Sequence, residues 1–195
     1  MKNYIIKQIA ESAATKQAIL ENGALVDLLV EVAKACVEVY KNGRKILIAG
    51  NGGSAADAQH FAAELVGRYG FDRPSLPSIA LTTDSSNLTA IGNDYGYEYV
   101  FSRQLEGLAQ EGDLFIGIST SGNSQNVINA FASAKERGVT TVALVGRDGG
   151  KMAAMADYAI VVPSNATPRI QESHLLIEHM ICDIIEKEMF GGGVA

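Results

Sequence analysis

Five short apolar runs rich in β-preferring residues punctuate this chain: Lys45–Ala49, Ser78–Leu81, Leu114–Ile118, Thr140–Val145 and Tyr158–Val162. Between them, apolar residues recur at helical spacing. Strands that alternate with helices are expected to form a parallel sheet wrapped by those helices. The helices are expected at about Ser54–Tyr69, from Ser86 into the Glu98–Leu108 region, at Ser124–Arg137, at Gly149–Met155 and at Arg169–Phe190. Two more precede the first strand, about Lys2–Leu20 and Leu25–Tyr40, with Gly43 as a stop signal. The Gly-Gly-Gly-Val-Ala tail is expected to fray.

The length of 195 residues suits a single domain with a substantial core. No run of about 18 apolar residues is present, which argues against a membrane-spanning helix. The N-terminus, MKNYIIKQIAESAATKQ, is too polar for the apolar stretch of a secretory leader. A soluble, cytoplasmic protein is expected. A net charge of −6 argues against a general nucleic-acid surface, which needs clustered Lys and Arg. Cys36 and Cys182 are isolated on helical segments and read as core residues.

Ligands of a parallel α/β sheet bind beyond the carboxyl ends of its strands. That rule selects Asn51–Ser54, Asp84–Ser86, Ser119–Ser124 and Gly146–Gly150. The first opens a helix whose N-terminal amides favour an anion, with Ser54 placed as its cap. The same helix carries His60 and Glu64 four residues apart, a possible metal or acid/base pair, although such pairs are common on helix surfaces. The Ser119–Ser124 loop, Ser-Thr-Ser-Gly-Asn-Ser, supplies four hydroxyls within six residues at a helix start. Hydroxyls and amides there can hold a phosphate without a lysine; one capping serine would need fewer. Asp84 and Asp94 read as turn or cap carboxylates, with acid/base chemistry as the alternative. On the last helix, Gln171 and His179 stand eight residues apart, about 80° apart in projection. His174 also shares that face, and spacing alone does not choose between the two histidines.

The segments GNGGSAADAQHFAAELVGRY, AIGNDYGYE, GISTSGNS, GRDGGKMA and RIQESHLLIEH together resemble the sedoheptulose-7-phosphate (phosphoheptose) isomerases of the sugar-isomerase (SIS) domain superfamily. The resemblance runs from about Lys45 to Glu188 and is weakest in the N-terminal helices. It implies one SIS domain over residues 1–195: a three-layer α/β/α sandwich on a five-stranded parallel sheet, with residues 1–43 as a helical segment packing in a homotetramer. The implied reaction converts D-sedoheptulose 7-phosphate to D-glycero-D-manno-heptose 7-phosphate, the first step toward activated heptose for bacterial surface polysaccharide such as lipopolysaccharide. On the matching positions, Ser119, Thr120, Ser121 and Ser124 would bind the phosphate. Asn51, Gly52, Gly53, Asn93 and Asp94 would contact the sugar, together with Glu64 and Gln171, and Arg68 would reach a neighbouring subunit's site. His60, Glu64, Gln171 and His179 would hold one Zn²⁺ per subunit, which selects His179 over His174. Glu64 and His179 would be the proton-transfer pair. Some relatives carry an acidic residue where Pro168 stands, and any role for that position is in doubt; proline suits the first turn of a helix.

Carbonyl transfer between C2 and C1 passes through an enediol, so a site for it needs a base, an acid and something to stabilise the oxyanion; a carboxylate, an imidazole and a Lewis acid meet those needs. Glutamine is an atypical zinc ligand, which implies a weak or exchangeable metal site. The contrasting expectation is a non-catalytic SIS protein that binds the replication initiator. Such an interaction protein has no physical reason to keep His60, Glu64, Gln171 and His179 together.

Overall fold

The structure is a computed structural model and describes residues 1–191; residues 192–195, the end of the tail expected to fray, lie outside the described residues. All five expected strands form: β1 (Ile46–Gly50), β2 (Ser78–Ala80), β3 (Leu114–Ser119), β4 (Thr140–Gly146) and β5 (Tyr158–Val162). They pair in parallel in the order β2-β1-β3-β4-β5. The helices are α1 (Lys2–Glu21), α2 (Gly23–Lys41), α3 (Gly53–Val66), α4 (Ser85–Asp94), α5 (Ser102–Leu108), α6 (Gln125–Glu136), α7 (Gly150–Met155) and α8 (Thr167–Glu186). None is long and apolar enough to cross a membrane among the described residues.

Side chains alternate across a strand, and here both faces are apolar, so each must be covered. Ile46 and Ile48 pack with Val37 of α2, Phe61 of α3 and Ile177 and Ile181 of α8. Leu47 and Ala49, one residue out of step, pack with Phe101 just before α5, Leu105 of α5, Phe131 of α6 and Met152 of α7. The result is the expected three-layer α/β/α sandwich. Cys36 and Cys182 are free thiols buried in the first of these cores. α1 buries only Thr15 and Ile19. It is moored to α8 by Arg169 Nη1 donating to the Gln8 carbonyl and by Ser12 Oγ on Glu172 at 2.8 Å.

Three local expectations are corrected. The helix expected from Ser86 into Leu108 is broken: the chain turns at Gly96, whose φ is 102°, and passes through a 3₁₀ turn, Tyr97–Tyr99, before α5. Ser54 does not cap α3; Gly52 precedes the first turn, and Ser54 is buried inside it. α3 ends at Val66, short of Tyr69, because the amides of Tyr69, Gly70 and Phe71 turn away to the Glu186 carboxylate at 2.6–2.9 Å. At the other end of the chain α8 stops at Glu186 and widens into a π-helical turn, Lys187–Gly191.

Candidate active site

Chain order along the sheet reverses between β1 and β3, the place where crossover helices leave on opposite faces and a crevice opens. The Asn51–Gly53 turn and the Ser119–Ser124 loop flank that crevice. In the serine loop, Ser119 is buried and its Oγ lies 2.9 Å from Ser124 Oγ and 3.5 Å from Ser121 Oγ. Ser124 occupies the cap position of α6 but makes no capping bond; its hydroxyl turns to Ser119 instead. Thr120 stands half-buried beside them. Three hydroxyls thus cluster where the first-turn amides of α6 lack helical partners, an arrangement that favours a dianion. Gly122 makes the loop possible: its φ is 64°, and a side chain there would strike the Gly149 carbonyl. Contact continues through Met152 N–H on the Gly122 carbonyl at 3.0 Å and Lys151 N–H on Asn123 Oδ1 at 3.2 Å. The Gly146–Gly150 segment therefore braces the serine loop from behind.

The chemical centre lies between α3 and α8. Glycine 53, Asp57, His60 and Glu64 recur at spacings that put them on one side of α3. His60 Nε2 lies 2.9 Å from His179 Nε2 and 3.4 Å from Glu64 Oε1. Packing decides what spacing left open between the two histidines. His174 is fully buried, with Nε2 on the Val145 carbonyl at 3.1 Å, and burial lowers its pKa to about 4; His179 faces His60. Gln171 packs its amide against Gly53, where a side chain would collide with the amide nitrogen, and within interaction range of Asp57.

The donor types suit a metal such as zinc: two imidazoles and a carboxylate converge, with an amide close behind. The two facing ring nitrogens stand at hydrogen-bond distance, 2.9 Å apart. Among the described residues, no set of three His, Cys, Asp or Glu side chains is already closed into a coordination shell. The group is thus a donor set that a cation would draw together, and its chemistry fits one.

Two features behind this centre carry no local sequence signal. Glu178 is completely buried with both carboxyl oxygens unpartnered among the described residues; burial, then the nearby Asp57 charge, pushes its pKa up to about 8. Burial likewise raises Asp57. Below them, Glu186 forms a buried ion pair with Arg73 at 2.9 Å, and Arg73 also donates to the Glu64 and Leu65 carbonyls at 2.9 and 2.7 Å. Burial alone would raise the Glu186 pKa, but the amides of Tyr69, Phe71 and Gly70 and the Arg73 guanidinium together hold it below the usual carboxylate value. This pair ties the end of α3 to the end of α8. Sequence reasoning also missed Asn126 and Tyr97, which hydrogen-bond Asn51.

The structure leaves some expected residues apart. Arg68 is exposed in the turn after α3. Asn93 and Asp94, at the end of α4, are exposed and bonded to each other at 2.8 Å. Asp84 caps α4 by accepting from Asn87 N–H at 3.0 Å, so its cap reading holds.

Comparison with known proteins bears on this geometry. Residues 9–146 match the SIS domain family model. The chain is 71% identical to the phosphoheptose isomerase of Sulfurimonas denitrificans over 194 residues, covering 100% of each chain. It is 60% identical to that of Aneurinibacillus thermoaerophilus, covering 97% of this chain and 96% of that one. The solved phosphoheptose isomerase of Neisseria gonorrhoeae superposes with a TM-score of 0.90 at 49% identity, covering 95% of this chain and 98% of that one. With an SIS fold, near-complete coverage and identity at this level, the chain belongs to the phosphoheptose isomerase family.

Proposed function

We propose that this chain interconverts D-sedoheptulose 7-phosphate and D-glycero-D-manno-heptose 7-phosphate, an aldose–ketose isomerisation that would feed activated heptose to surface polysaccharide in the cytoplasm. The observation that carries the reading is the meeting of His60, Glu64 and His179, the two histidines 119 residues apart in sequence, in a fold that also presents a hydroxyl cluster at the start of α6. A pure binding module has no use for that convergence, and the relatives above are named as isomerases.

Ser119, Thr120, Ser121 and Ser124 hold the phosphate, and the helix start of α6 offsets its charge. Anchoring C7 places C1 and C2 against Glu64, so binding energy remote from the reacting carbons is spent on orientation. Asn51, Gly52, Gly53 and Gln171 hold the sugar hydroxyls. Glu64 removes a proton from C1 of the ketose and returns it to C2, while His179 moves the compensating proton between O2 and O1 and assists ring opening. His60, Glu64, Gln171 and His179 would hold Zn²⁺, which supplies Lewis-acid polarisation of the carbonyl oxygen when bound. A carboxylate and an imidazole that also held the ion would be weaker bases than free ones, so Glu64 and His179 would alternate between holding it and moving protons.

We infer further that the working form is a homotetramer. Tyr4, Ile5, Ile6 and Ile9 of α1, Val26 and Val30 of α2 and Leu176 and Met180 of α8 are exposed apolar residues on adjoining elements. Val26, Val30, Leu176 and Met180 line a cleft of about 350 Å³ together with Ile19, Leu29, Ile177 and Ile181. Patches of this kind mark association surfaces. In such an assembly Arg68, Asn93 and Asp94, exposed here, meet sugar bound to a neighbouring copy. The direct test is to incubate the purified, zinc-supplemented protein with sedoheptulose 7-phosphate and follow the sugar by NMR. Anomeric signals of an aldoheptose are expected; unchanged ketose with folded, metal-loaded protein would refute the assignment.

A further inference from the structure

Asn51 sits at the end of β1, half-buried, and forms a reciprocal amide pair with Asn126 in the first turn of α6: Asn51 Nδ2 donates to Asn126 Oδ1 at 2.9 Å, and Asn126 Nδ2 donates to Asn51 Oδ1 at 2.8 Å. The polarity of this pair is dictated by the backbone. Val127 N–H can only donate, and it points to Asn126 Oδ1 at 3.0 Å, so the other Asn126 atom must be the NH₂. Asn51 must then turn its oxygen toward that NH₂. Tyr97 Oη adds a second donor to the same oxygen at 3.2 Å. With two donors on Oδ1 and one amide hydrogen used on Asn126, Asn51 keeps a second N–H that meets no protein acceptor among the described residues. Asn51 lines a cleft of about 460 Å³ together with Tyr97, Glu98, Ser124, Gln125 and Asn126.

We infer that Asn126, seconded by Tyr97, is a positioning residue that fixes Asn51 as a hydrogen-bond donor toward the sugar, so that the site takes an acceptor oxygen of the phosphorylated ketose at this point. The inference rests on the sugar-phosphate reading above. Asn126 is buried and lies two residues after Ser124, so the element that starts at the anion cradle also sets the hydrogen-bond sense of the turn across the crevice. A free asparagine would flip its amide and offer oxygen or nitrogen alike; the pair removes that choice, and a reorientation cost is not incurred on binding.

The test is a double-mutant cycle read by calorimetric binding, which needs no turnover. For Asn126→Ala, affinity for sedoheptulose 7-phosphate is expected to fall about tenfold. Affinity for inorganic phosphate, which needs only the serine loop, should stay unchanged. In an Asn51→Ala background Asn126→Ala should cost nothing further. Tyr97→Phe, an exposed and mild change that keeps the inference testable if Asn126→Ala folds poorly, should lose about threefold and also only when Asn51 is present. An equal loss of phosphate affinity, or additive effects in the cycle, would show a merely structural role and overturn the inference. Wild-type protein that binds the ketose without isomerising it would sink the proposed reaction, and the cycle would still decide the role of Asn126. Absence of any ketose binding by wild-type protein would overturn both.

Discussion

Glycine 53 shows how far one side chain can constrain the site. The Gln171 amide occupies the space a Cβ would need, so Gly53→Ala must push Gln171 away from the His60 side of α3. Steady-state kinetics should show kcat/KM reduced about tenfold or more, with the melting temperature within a few degrees of wild type; unchanged kinetics would remove Gln171 from the site. His174 belongs to the core, and its consequence is pH dependence. In the folded protein its pKa is about 4, against an ordinary value of 6.5. Between those values the unfolded chain binds the proton and the folded one does not, so stability from this residue is present above pH 6.5 and is lost as pH falls toward 4. At about 1.4 kcal/mol per unit the loss approaches about 3 kcal/mol. His174→Gln can keep a donor on the Val145 carbonyl without titrating. The difference in unfolding free energy between it and wild type should therefore move in the variant's favour across that window in denaturant titrations. A constant difference would contradict the assignment.

At the scale of elements, α3 and α8 bring His60, Glu64 and His179 together, and the Arg73–Glu186 pair ties the end of one helix to the end of the other. Both partners are almost wholly buried, with side-chain exposures of 2% and 2%, so removing one strands a charge and the carbonyls or amides it served. Glu186→Ala should cost about 3–5 kcal/mol in chemical unfolding. Arg73→Ala combined with it should cost less than the sum of the two; strict additivity would mean the groups act independently. The strands and most helices were legible in the sequence because apolar runs and periodicity are local. So was the approach of His60 to Glu64, a pair within one helix. The gathering of serine hydroxyls at the start of α6 was legible for the same reason. What could not be read were the through-space partners: Asn51 with Asn126, 75 residues apart, and Tyr69 with Glu186, 117 apart. The early end of α3 follows from the latter, since a distant carboxylate captures amides that would otherwise have continued the helix. Family resemblance chose His179 over His174; in the fold, the choice follows from His174 facing the sheet.

For the whole molecule, two exposed regions stand out: the end of α4 and the apolar face of α1. α4 buries no residue completely, yet it ends in Asn93 and Asp94. α1 leaves most of its apolar residues in solvent. The proposed tetramer would account for both, and light scattering at micromolar concentration should give four times the chain mass. A charged substitution in the α1 patch, Ile6→Glu, should reduce that mass and lower turnover together. A monomer with full activity would refute the shared site.

The central claim is that Glu64 carries a proton between two carbons of a phosphate-anchored ketose, and isomerisation in D₂O followed by NMR tests it most directly. Wild-type protein should give aldoheptose 7-phosphate bearing deuterium at C2. Glu64→Gln, folded to the same melting temperature, should lose about 10²–10⁴-fold in rate, the usual contribution of general acid–base catalysis. Near-native turnover by folded Glu64→Gln would contradict the account.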